Sequence, residues 1–250
     1  MRGAERSGSE DRAARNNLQA SWASLKRKSC YKKENGDVKM EKKGILTVVS
    51  GFSGAGKGTL MKELLARYPE TYALSISATT RNPREGEVDG REYFFKTREE
   101  FEKMIAKDEL IEYAKYVENY YGTPRDYVET KLSEGKDVIL EIEIQGALKV
   151  KEAFPDTLLL FVTPPTAVEL KNRLIGRGTE TMDVIESRMR RACEEAEGMD
   201  RYDYLVINDD LEECVERMHE IIRGEHNRSF RNKEFMKSIK EDLERLKGED

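Results

Sequence analysis

A run of small residues around one lysine is the first feature of the sequence with chemical meaning. Residues 50–59 read SGFSGAGKGT and contain the spacing G-x-x-x-x-G-K from Gly51 to Lys57. In such a loop, backbone N–H groups converge on an anion at the positive end of a helix, and the lysine adds a mobile charge for β- and γ-phosphates. The pattern predicts a nucleotide-phosphate loop; the alternative is a glycine-rich turn between a strand and a helix. The predicted nucleotide contacts are Gly51, Phe52, Ser53, Gly54, Ala55, Gly56, Lys57, Gly58 and Thr59.

The residue after the lysine departs from the common form of this loop. Many phosphate loops have Ser or Thr there, where the hydroxyl binds Mg²⁺. Here that position is Gly58, and the nearest hydroxyl belongs to Thr59. We therefore expect the loop to hold Mg²⁺ less directly, with Thr59 as a weak candidate ligand acting through water.

A second group of residues is suited to a phosphate monoester. The segment SISATTRNPREGEVDGREYFF places Arg81 and Arg84 three residues apart around a proline, with Tyr93 nine residues further on. Two guanidinium forks and a phenol form a good clamp for a doubly charged phosphate. Next, LIEYAKYVENYYGTPRD supplies Glu112, Tyr121 and Thr123.

An acidic pair and three arginines complete the candidate chemistry. Glu141 and Glu143 are two apart in the predicted strand VILEIEI (138–144), which would put both on one face, near the phosphate loop. The alternative is a pair of exposed glutamates on an edge strand. Arg173, Arg177 and Arg188 follow in two predicted helices, where solvated surface charges are the alternative.

The elements that must position these residues alternate between strand and helix. Near-continuous apolar runs at 45–49, 138–144, 158–162 and 204–207 predict strands covered on both faces. Helical patterns separate them, including GTLMKELLARY, AVELKNRLIGRG, DVIESRMRRACEEAE and LEECVERMHEIIRG. This alternation predicts an α/β fold with a parallel sheet flanked by helices.

One segment breaks the alternation and indicates an inserted α+β lobe. Between Tyr93 and Tyr121 we predict short strands around one helix, which begins with a capping box in which Thr97 caps and Glu100 reaches back. A further helix is predicted in TPRDYVETKLSEG, with Pro124 in its first turn and Gly135 beyond its end. The last stretch, from residue 227, predicts a charged amphipathic helical tail without a catalytic role.

Composition limits the class of protein. The 250 residues carry a net charge of −5, yet residues 1–43 are net +6 and the remainder is net −11. A basic leader could bind nucleic acid or membrane, but it lacks the apolar residues of a core, which favours a disordered extension over residues 1–39. We also raise the hypothesis that translation begins at Met40. The leader has no apolar signal region, no apolar run spans a bilayer, and the three cysteines are widely spaced, so we expect a cytoplasmic protein without nucleic-acid or membrane partners.

From about Gly44 to Arg223 the sequence resembles guanylate kinase of the bacterial type, a P-loop nucleoside monophosphate kinase. The segments that carry the resemblance, in order, are SGFSGAGKGT, SATTRNPREGE, ENYYGT, LEIEIQGA, RLIGRGTET and VINDD. The variant GKGT is itself shared by adenylate and guanylate kinases. The resemblance implies a P-loop three-layer α/β fold in residues 40–226, with a GMP-binding lobe at about 77–125 and a small helical lid at about 172–190.

The resemblance also implies a reaction and a role for each matched residue. The reaction is the transfer of a phosphoryl group from ATP, with Mg²⁺, to GMP and to dGMP. Arg81, Arg84, Tyr93 and Tyr121 would hold the GMP phosphate, and Ser77, Glu112 and Thr123 would read the guanine. Many members of the family have aspartates where this chain has Glu141 and Glu143, which leaves open whether the two glutamates contact nucleotide hydroxyls or organise Mg²⁺ through water. Lys57, Arg81, Arg173, Arg177 and Arg188 would stabilise charge during transfer, and Asn208 would contact ATP on its adenine side.

The choice of guanine also follows from the chemistry of Glu112 and Thr123. A carboxylate can accept from both N1–H and N2–H₂ of guanine while a hydroxyl donates to O6. Adenine would instead present an unprotonated N1 to the carboxylate, and buried polar groups left unpaired can discriminate by about 10⁴-fold.

Two other functions compete with this interpretation. The same fold could phosphorylate another acceptor, such as AMP or a ribose phosphate, but Glu112 with Thr123 argues against AMP. A guanylate-kinase-like binding module of scaffold proteins would retain the monophosphate pocket without catalysis. The intact loop with Lys57 and the lid arginines favour the enzyme. The sequence leaves the oligomeric state open.

Overall fold

The computed structural model describes residues 31–34, 37–40, 43–116, 118–176, 178 and 181–247. Most of the predicted basic extension and the predicted site residue Arg177 lie outside these ranges. Residues 31–34 and 37–39 fall within the predicted disordered extension, yet residues 31–34 and 37–40 form two antiparallel strands in which Tyr31 pairs with Met40. The sequence signal for this pairing is the Asn-Gly dipeptide at 35–36, which favours a two-residue turn.

The strands are β1 (Tyr31–Glu34), β2 (Asp37–Met40), β3 (Leu46–Gly51), β4 (Tyr72–Leu74), β5 (Ala78–Thr79), β6 (Phe94–Phe95), β7 (Leu110–Tyr116), β8 (Asn119–Pro124), β9 (Asp137–Glu141), β10 (Leu158–Thr163) and β11 (Tyr204–Ile207).

Eight α-helices connect or flank these strands in the described part of the chain. No helix among the described residues is long and apolar enough to cross a membrane. The helices are α1 (Lys57–Arg67), α2 (Arg98–Ala106), α3 (Arg125–Ser133), α4 (Ile144–Ala153), α5 (Ala167–Gly176), α6 (Met182–Ala196), α7 (Leu211–Glu225) and α8 (Lys233–Lys247).

The central sheet is parallel and has the strand order β11-β10-β3-β9-β4. The pairing of Val48 with Leu140 on one side and Leu159 on the other places β3 between two buried strands. All residues of β3 from Leu46 to Ser50 are buried, as is β10 from Leu158 to Val162. The predicted parallel sheet with doubly covered strands is therefore confirmed for these elements, and it carries the phosphate loop at the end of its middle strand.

The edge strand β11 does not fit the prediction that it is covered on both faces. Among the described strands it pairs only with β10, and Leu205 and Ile207 are 50% and 44% exposed while Val206 is buried. An edge strand has one neighbour fewer, so alternate side chains reach solvent although the sequence run is apolar.

Helix α1 begins directly after the phosphate loop, and its apolar residues face the sheet. Leu60 and Leu64, four residues apart, are fully buried, which stabilises each by about 1.5–3 kcal/mol relative to exposure. Helix α1 packs on β3, β4 and α7, whereas α4 packs on β3 and β10. These contacts fix the first turn of α1 against the end of β3.

A second sheet, of order β6-β5-β8-β7, has a small core of its own. Ala78, Phe101 and Leu110 are its buried centre, and Phe101 comes from α2, which packs on these strands. The predicted capping box of α2 is confirmed, since Thr97 Oγ1 accepts from the Glu100 N–H at 3.1 Å and Glu100 Oε2 accepts from the Thr97 N–H at 2.8 Å. Contacts between β7 and α4 bring this sheet against the central one.

The predicted strand 138–144 is too long, and the reason lies in a contact across the sheet. Strand β9 ends at Glu141, and the Ser50 hydroxyl donates to the Ile142 carbonyl at 2.7 Å. Glu143 then has the N-cap position of α4. The prediction that Glu141 and Glu143 share one strand face is therefore wrong, because only Glu141 belongs to the strand.

Two further predicted helices, α3 and α8, are formed. Pro124 is the N-cap of α3 and precedes its first turn, whereas Gly135 lies beyond the helix end as predicted, with a left-handed φ of +83°. The C-terminal amphipathic pattern forms α8, whose apolar residues include the exposed Leu243 and Leu246.

Candidate active site

The phosphate loop joins β3 to α1 and takes the shape that its glycines allow. Gly54 and Gly56 have φ values of +94° and +91°, in the left-handed region that favours glycine. Gly56 is the N-cap of α1, so the first N–H groups of the helix face the loop. The Lys57 ammonium donates to the carbonyls of Gly51 at 2.7 Å and Phe52 at 3.1 Å. The lysine is thus held over the loop at the positive end of the helix dipole.

Asn208 holds this loop through a hydrogen bond to its backbone. It is 7% exposed, and its Nδ2 donates to the Ala55 carbonyl at 2.8 Å. Arg173 contacts the same two residues, with Nη2 donating to the Asn208 carbonyl at 2.9 Å and Nη1 to the Ala55 carbonyl at 3.5 Å. The contact of Asn208 with the adenine side of ATP stays a prediction; in this structure its side-chain amide fixes the loop conformation.

Gly56→Ala and Gly58→Ala should have opposite effects on stability. An added Cβ at Gly56 would lie 2.5 Å from Asn208 Nδ2, on a backbone that L-residues rarely adopt. We expect Gly56→Ala to lower the free energy of unfolding by about 1–3 kcal/mol. A Cβ at Gly58 meets nothing within 4 Å, and the residue is helical, so Gly58→Ala should raise that free energy by about 0.5–1 kcal/mol. Urea denaturation without nucleotide measures both, and equal effects would contradict this account of the loop.

A cavity of about 710 Å³ opens beside the loop. Its walls come from the loop, from the residues that follow β9, and from α6, and Arg188 on α6 donates to Ser53 Oγ of the loop. Thr59 is exposed on α1 and is not part of the cavity wall. The cavity is lined by Gly51, Ser53, Lys57, Glu141, Ile142, Glu143, Ile144, Asp183, Val184, Ser187, Arg188, Arg191 and Glu195.

Both predicted acidic residues face this cavity although they lie in different elements. Desolvation by the surrounding protein raises the pKa of Glu141, and the charge of Lys57 opposes that rise. Glu143 forms an ion pair with Arg191, whose Nη2 lies 2.7 Å from Glu143 Oε2. Carboxylates, a lysine and two arginines thus surround one space, as phosphoryl groups and a divalent cation require.

Sequence reasoning missed the cavity residues of α6 other than Arg188. Arg191 also pairs with Glu195, Nε to Oε1 at 3.1 Å, and Asp183 and Ser187 lie on the same wall. The helical spacing i, i+4, i+8 from Asp183 to Ser187 to Arg191 carried this signal, because residues three or four apart share a helix face. Arg177 lies outside the described residues.

The predicted acceptor-phosphate residues meet on the second sheet. The Arg81 guanidinium lies 5.3 Å from the centre of the Tyr93 ring, and the rings of Tyr93 and Tyr121 are 6.1 Å apart, edge to face. Arg84 is exposed in the loop that follows β5. Its N–H donates at 2.7 Å to Glu87, a carboxylate that also binds Arg81. The structure therefore groups three of the four residues directly and ties Arg84 to them through Glu87.

Glu112 and Thr123, the two residues predicted to contact the edge of the base, lie in direct contact with each other. Thr123 Oγ1 donates to Glu112 Oε1 at 2.8 Å between β8 and β7, and Thr123 is fully buried. Burial raises the pKa of Glu112, and the Thr123 hydrogen bond and the charge of Lys149 oppose the rise. Gly146 on α4 approaches Glu112 closely, since an added Cβ there would lie 3.4 Å from Oε2. Ser77 stands just before β5, where its carbonyl accepts from the Phe94 N–H at 2.9 Å.

Known proteins share this arrangement of sequence and fold. Residues 43–225 match the family model described as guanylate kinase. A guanylate kinase of Bacillus anthracis is 56% identical over 202 residues, which cover 81% of this chain and 98% of the relative. The guanylate kinase of Bacillus subtilis (strain 168) is 54% identical over 187 residues, covering 75% and 92%. The crystal structure of guanylate kinase from Anaplasma phagocytophilum matches with a TM-score of 0.60 and 32% identity, and covers 76% of this chain and 90% of that one. The chain therefore belongs to the guanylate kinase family.

Proposed function

We propose that the phosphate loop holds the phosphates of ATP and that the second sheet holds GMP. The chain is an ATP:GMP phosphotransferase, which converts ATP and GMP to ADP and GDP. The observation that best supports guanine as the base is the contact between Glu112 and the buried Thr123, an acceptor and a donor 2.8 Å apart. In this structure the single hydroxyl hydrogen of Thr123 goes to Glu112. A base that accepts that hydrogen and donates to the carboxylate replaces the contact, whereas a base that leaves either group unpaired is disfavoured.

The acceptor site would bind GMP at both ends of the molecule. Glu112 would accept from N1–H and N2–H₂. The Thr123 hydroxyl would turn its hydrogen from Glu112 to O6 when the base binds, and Ser77 lies at the margin of the base site. The acceptor phosphate is held by Arg81, Arg84, Tyr93 and Tyr121. In this arrangement the aromatic rings orient the Arg81 guanidinium, because a cation is attracted to the face of a ring.

The donor site would use mainly backbone and positive charge. Residues 51–59 hold the ATP phosphates, Lys57 neutralises the group in transfer, and Asn208 supports the loop. Arg173, Arg177 and Arg188 stabilise negative charge together with Arg81. Since the attacking phosphate oxygen is already anionic, no side chain has to act as a general base. Catalysis then consists of positioning and charge stabilisation in a site that excludes water.

The donor atoms at the cavity fit a magnesium ion that ATP itself brings. Mg²⁺ prefers oxygen ligands, keeps several waters and needs only one or two carboxylates besides the phosphates. Glu141 and Glu143 supply such carboxylates, whereas Thr59 is exposed outside the cavity wall. We propose that both glutamates hold the ion through water. Bound there, Mg²⁺ would neutralise phosphate charge.

The organisation of the chain is part of the proposal. The catalytic domain spans residues 40–226, with the GMP lobe at about 77–125 and the lid at about 172–190. Residues 1–39 form an extension and residues 227–250 a helical tail. We propose that dGMP is a second acceptor, that the enzyme is cytoplasmic, and that its partners are these nucleotides and neither nucleic acid nor membrane.

A coupled assay of ADP production tests the reaction, with GMP, dGMP, AMP, UMP or no acceptor present in parallel. We expect turnover with GMP and dGMP only. Turnover with AMP or UMP would retain the phosphate loop and overturn the guanine site. A folded protein that binds GMP but produces no ADP with any acceptor would indicate the binding-module function.

A further inference from the structure

Glu87 lies between the two arginines of the acceptor-phosphate site. Both of its carboxylate oxygens accept from Arg81 Nη2 at 2.9 Å. Oε2 also accepts from the Arg84 N–H at 2.7 Å. The side chains of Arg81 and Glu87 are each only 16% exposed. One carboxylate thus connects the side chain of the first arginine to the backbone of the second.

We propose that Glu87 is a positioning residue that holds Arg81 and Arg84 in the geometry needed for the GMP phosphate. This inference rests on the proposed function of the two arginines. Glu87 itself would not contact GMP, since a carboxylate would repel a phosphate dianion. It would act by fixing the guanidinium of Arg81 before the substrate arrives.

The contacts around Arg81 hold its side chain on several sides. Glu87 binds Nη2, the Asn82 carbonyl accepts from Nη1 at 2.7 Å, and the rings of Tyr93 and Phe95 lie 5.3 Å and 5.8 Å from the guanidinium carbon. An arginine fixed in this way has less conformational entropy to lose when it binds an anion. The positioning effect of Glu87 should therefore appear as affinity for the phosphate group of GMP.

Glu87 also shapes the loop that carries Arg84. Its own N–H donates to the Arg84 carbonyl at 3.1 Å, so backbone and side chain together close the turn from 84 to 87. The Arg84 N–H, and then Arg81, lower the pKa of Glu87, which keeps it ionised at neutral pH. An ionised Glu87 is the state that both contacts require.

Charge and position predict opposite results when Glu87 is replaced. Glu87 reduces the charge of the two arginines from +2 to +1, so its removal would strengthen the attraction for phosphate if charge alone mattered. If Glu87 mainly holds Arg81 in place, its removal weakens GMP binding. We infer that position dominates, because the ion pair is largely shielded from water and both oxygens are engaged.

The chain offers a matched control in the same loop. Glu92 also pairs with an arginine and a backbone N–H, Oε1 to Arg91 Nε at 2.6 Å and Oε2 to the Val88 N–H at 2.8 Å. Arg91 is not among the residues proposed to bind GMP. Glu92→Gln and Glu92→Ala therefore remove the same kinds of contact without touching the acceptor-phosphate arginines.

The experiment is calorimetric binding of GMP and of guanosine to wild type, Glu87→Gln, Glu87→Ala and the two Glu92 variants. We expect Glu87→Ala to weaken GMP binding by about tenfold and guanosine binding by less than about twofold. Glu87→Gln keeps an acceptor for the Arg84 N–H and should lose less. In the kinetic assay KM for GMP should rise while KM for ATP stays constant, and the Glu92 variants should match wild type.

Each other outcome overturns the inference in a recognisable way. Unchanged or tighter GMP binding by both Glu87 variants would show that charge dominates. Equal losses for guanosine and GMP, or equal losses in the Glu92 variants, would show a general effect on the fold. Arg81→Gln distinguishes a wrong phosphate site from a wrong role of Glu87. If it binds GMP like wild type, the proposed phosphate site is wrong; if it binds weakly while the Glu87 variants do not, only the role of Glu87 is wrong.

Discussion

Replacement of Lys57 by alanine is expected to abolish turnover and to leave GMP binding almost unchanged. The Lys57 ammonium lies over the phosphate loop, on the carbonyls of Gly51 and Phe52, and faces the cavity shared with Arg188. Its charge would be used mainly when negative charge shifts between the phosphates, so the loss should appear in kcat. We expect a fall of about 10³-fold or more, since loss of one preorganised donor commonly lowers kcat by 10²–10³. Single-turnover kinetics with ATP and Mg²⁺ measures it.

The control for this variant is Lys62→Ala. Lys62 is exposed on the same helix and is not part of the cavity wall, so the change in net charge is the same. It should retain wild-type kcat. A Lys57→Ala enzyme with kcat within about tenfold of wild type would contradict the role of the loop. A large loss of GMP affinity in that variant would show that Lys57 also organises the acceptor site.

Replacement of Glu112 by glutamine should remove the preference for guanine. The amide keeps one acceptor but directs its NH₂ group toward the N1–H and N2–H₂ donors of the base, which leaves buried donors facing each other. We expect KM for GMP to rise by about 10²-fold or more, with little change for AMP or ATP. Glu118→Gln is the control, because Glu118 is an exposed glutamate in the turn of the same β7–β8 hairpin. Unchanged base preference in Glu112→Gln would overturn the assigned role.

The same residue predicts a pH dependence. An ordinary glutamate has a pKa of about 4.3. Burial raises the pKa of Glu112 above that value, so its carboxylate takes up a proton at a higher pH. GMP affinity should fall as the pH decreases through that raised pKa, because the protonated carboxyl cannot accept two hydrogen bonds. The phosphate of GMP titrates in wild type and variant alike. The difference between the pH profiles of wild type and Glu112→Gln therefore isolates the glutamate.

In the protein without nucleotide, the contribution of Glu112 to the free energy of unfolding depends on pH in the opposite direction to GMP affinity. The folded state holds the proton of Glu112 more tightly than the unfolded state. The contribution of this group to the free energy of unfolding is thus present below the unfolded pKa and is lost as the pH rises through the folded pKa. Glu112→Gln should remove that slope. An identical pH dependence of unfolding in both proteins would show that the carboxyl is not desolvated.

The local parts of the fold could be predicted because short-range patterns decide them. The loop from Gly51 to Lys57 follows from its glycines, and the capping box of α2 follows from Thr97 and Glu100, which are three residues apart. The apolar runs of β3 and β10 predict buried strands in the same way, since their composition fits a strand covered on both faces. Where a strand has only one neighbour, as β11 does, the same composition gave the wrong expectation.

The acceptor residues could be assigned to a site only because a whole motif was recognised. Glu112 alone would be taken for an exposed charge. Its position in the folded chain depends on Thr123 from the next strand and on Gly146 from α4, where the absence of a side chain leaves room for the carboxylate. Helical spacing shows that Arg191 shares a face of α6 with Asp183 and Ser187, but not that this face lines a cavity formed with elements far apart in the sequence, so the roles of Arg191 and Glu195 could not be assigned.

The sequence by itself determined the family and the phosphate loop, and it predicted most of the residues that we propose to bind the nucleotides. The tertiary structure decided how those residues are held: β9 ends at Glu141, Asn208 fixes the loop, and Glu87 joins the two arginines. The physical reason is range. Glycine conformations, helix caps and apolar periodicity act over a few residues and are visible in a sequence. Hydrogen bonds such as that from Asn208 to Ala55, 153 positions apart, exist only after the chain has closed on itself.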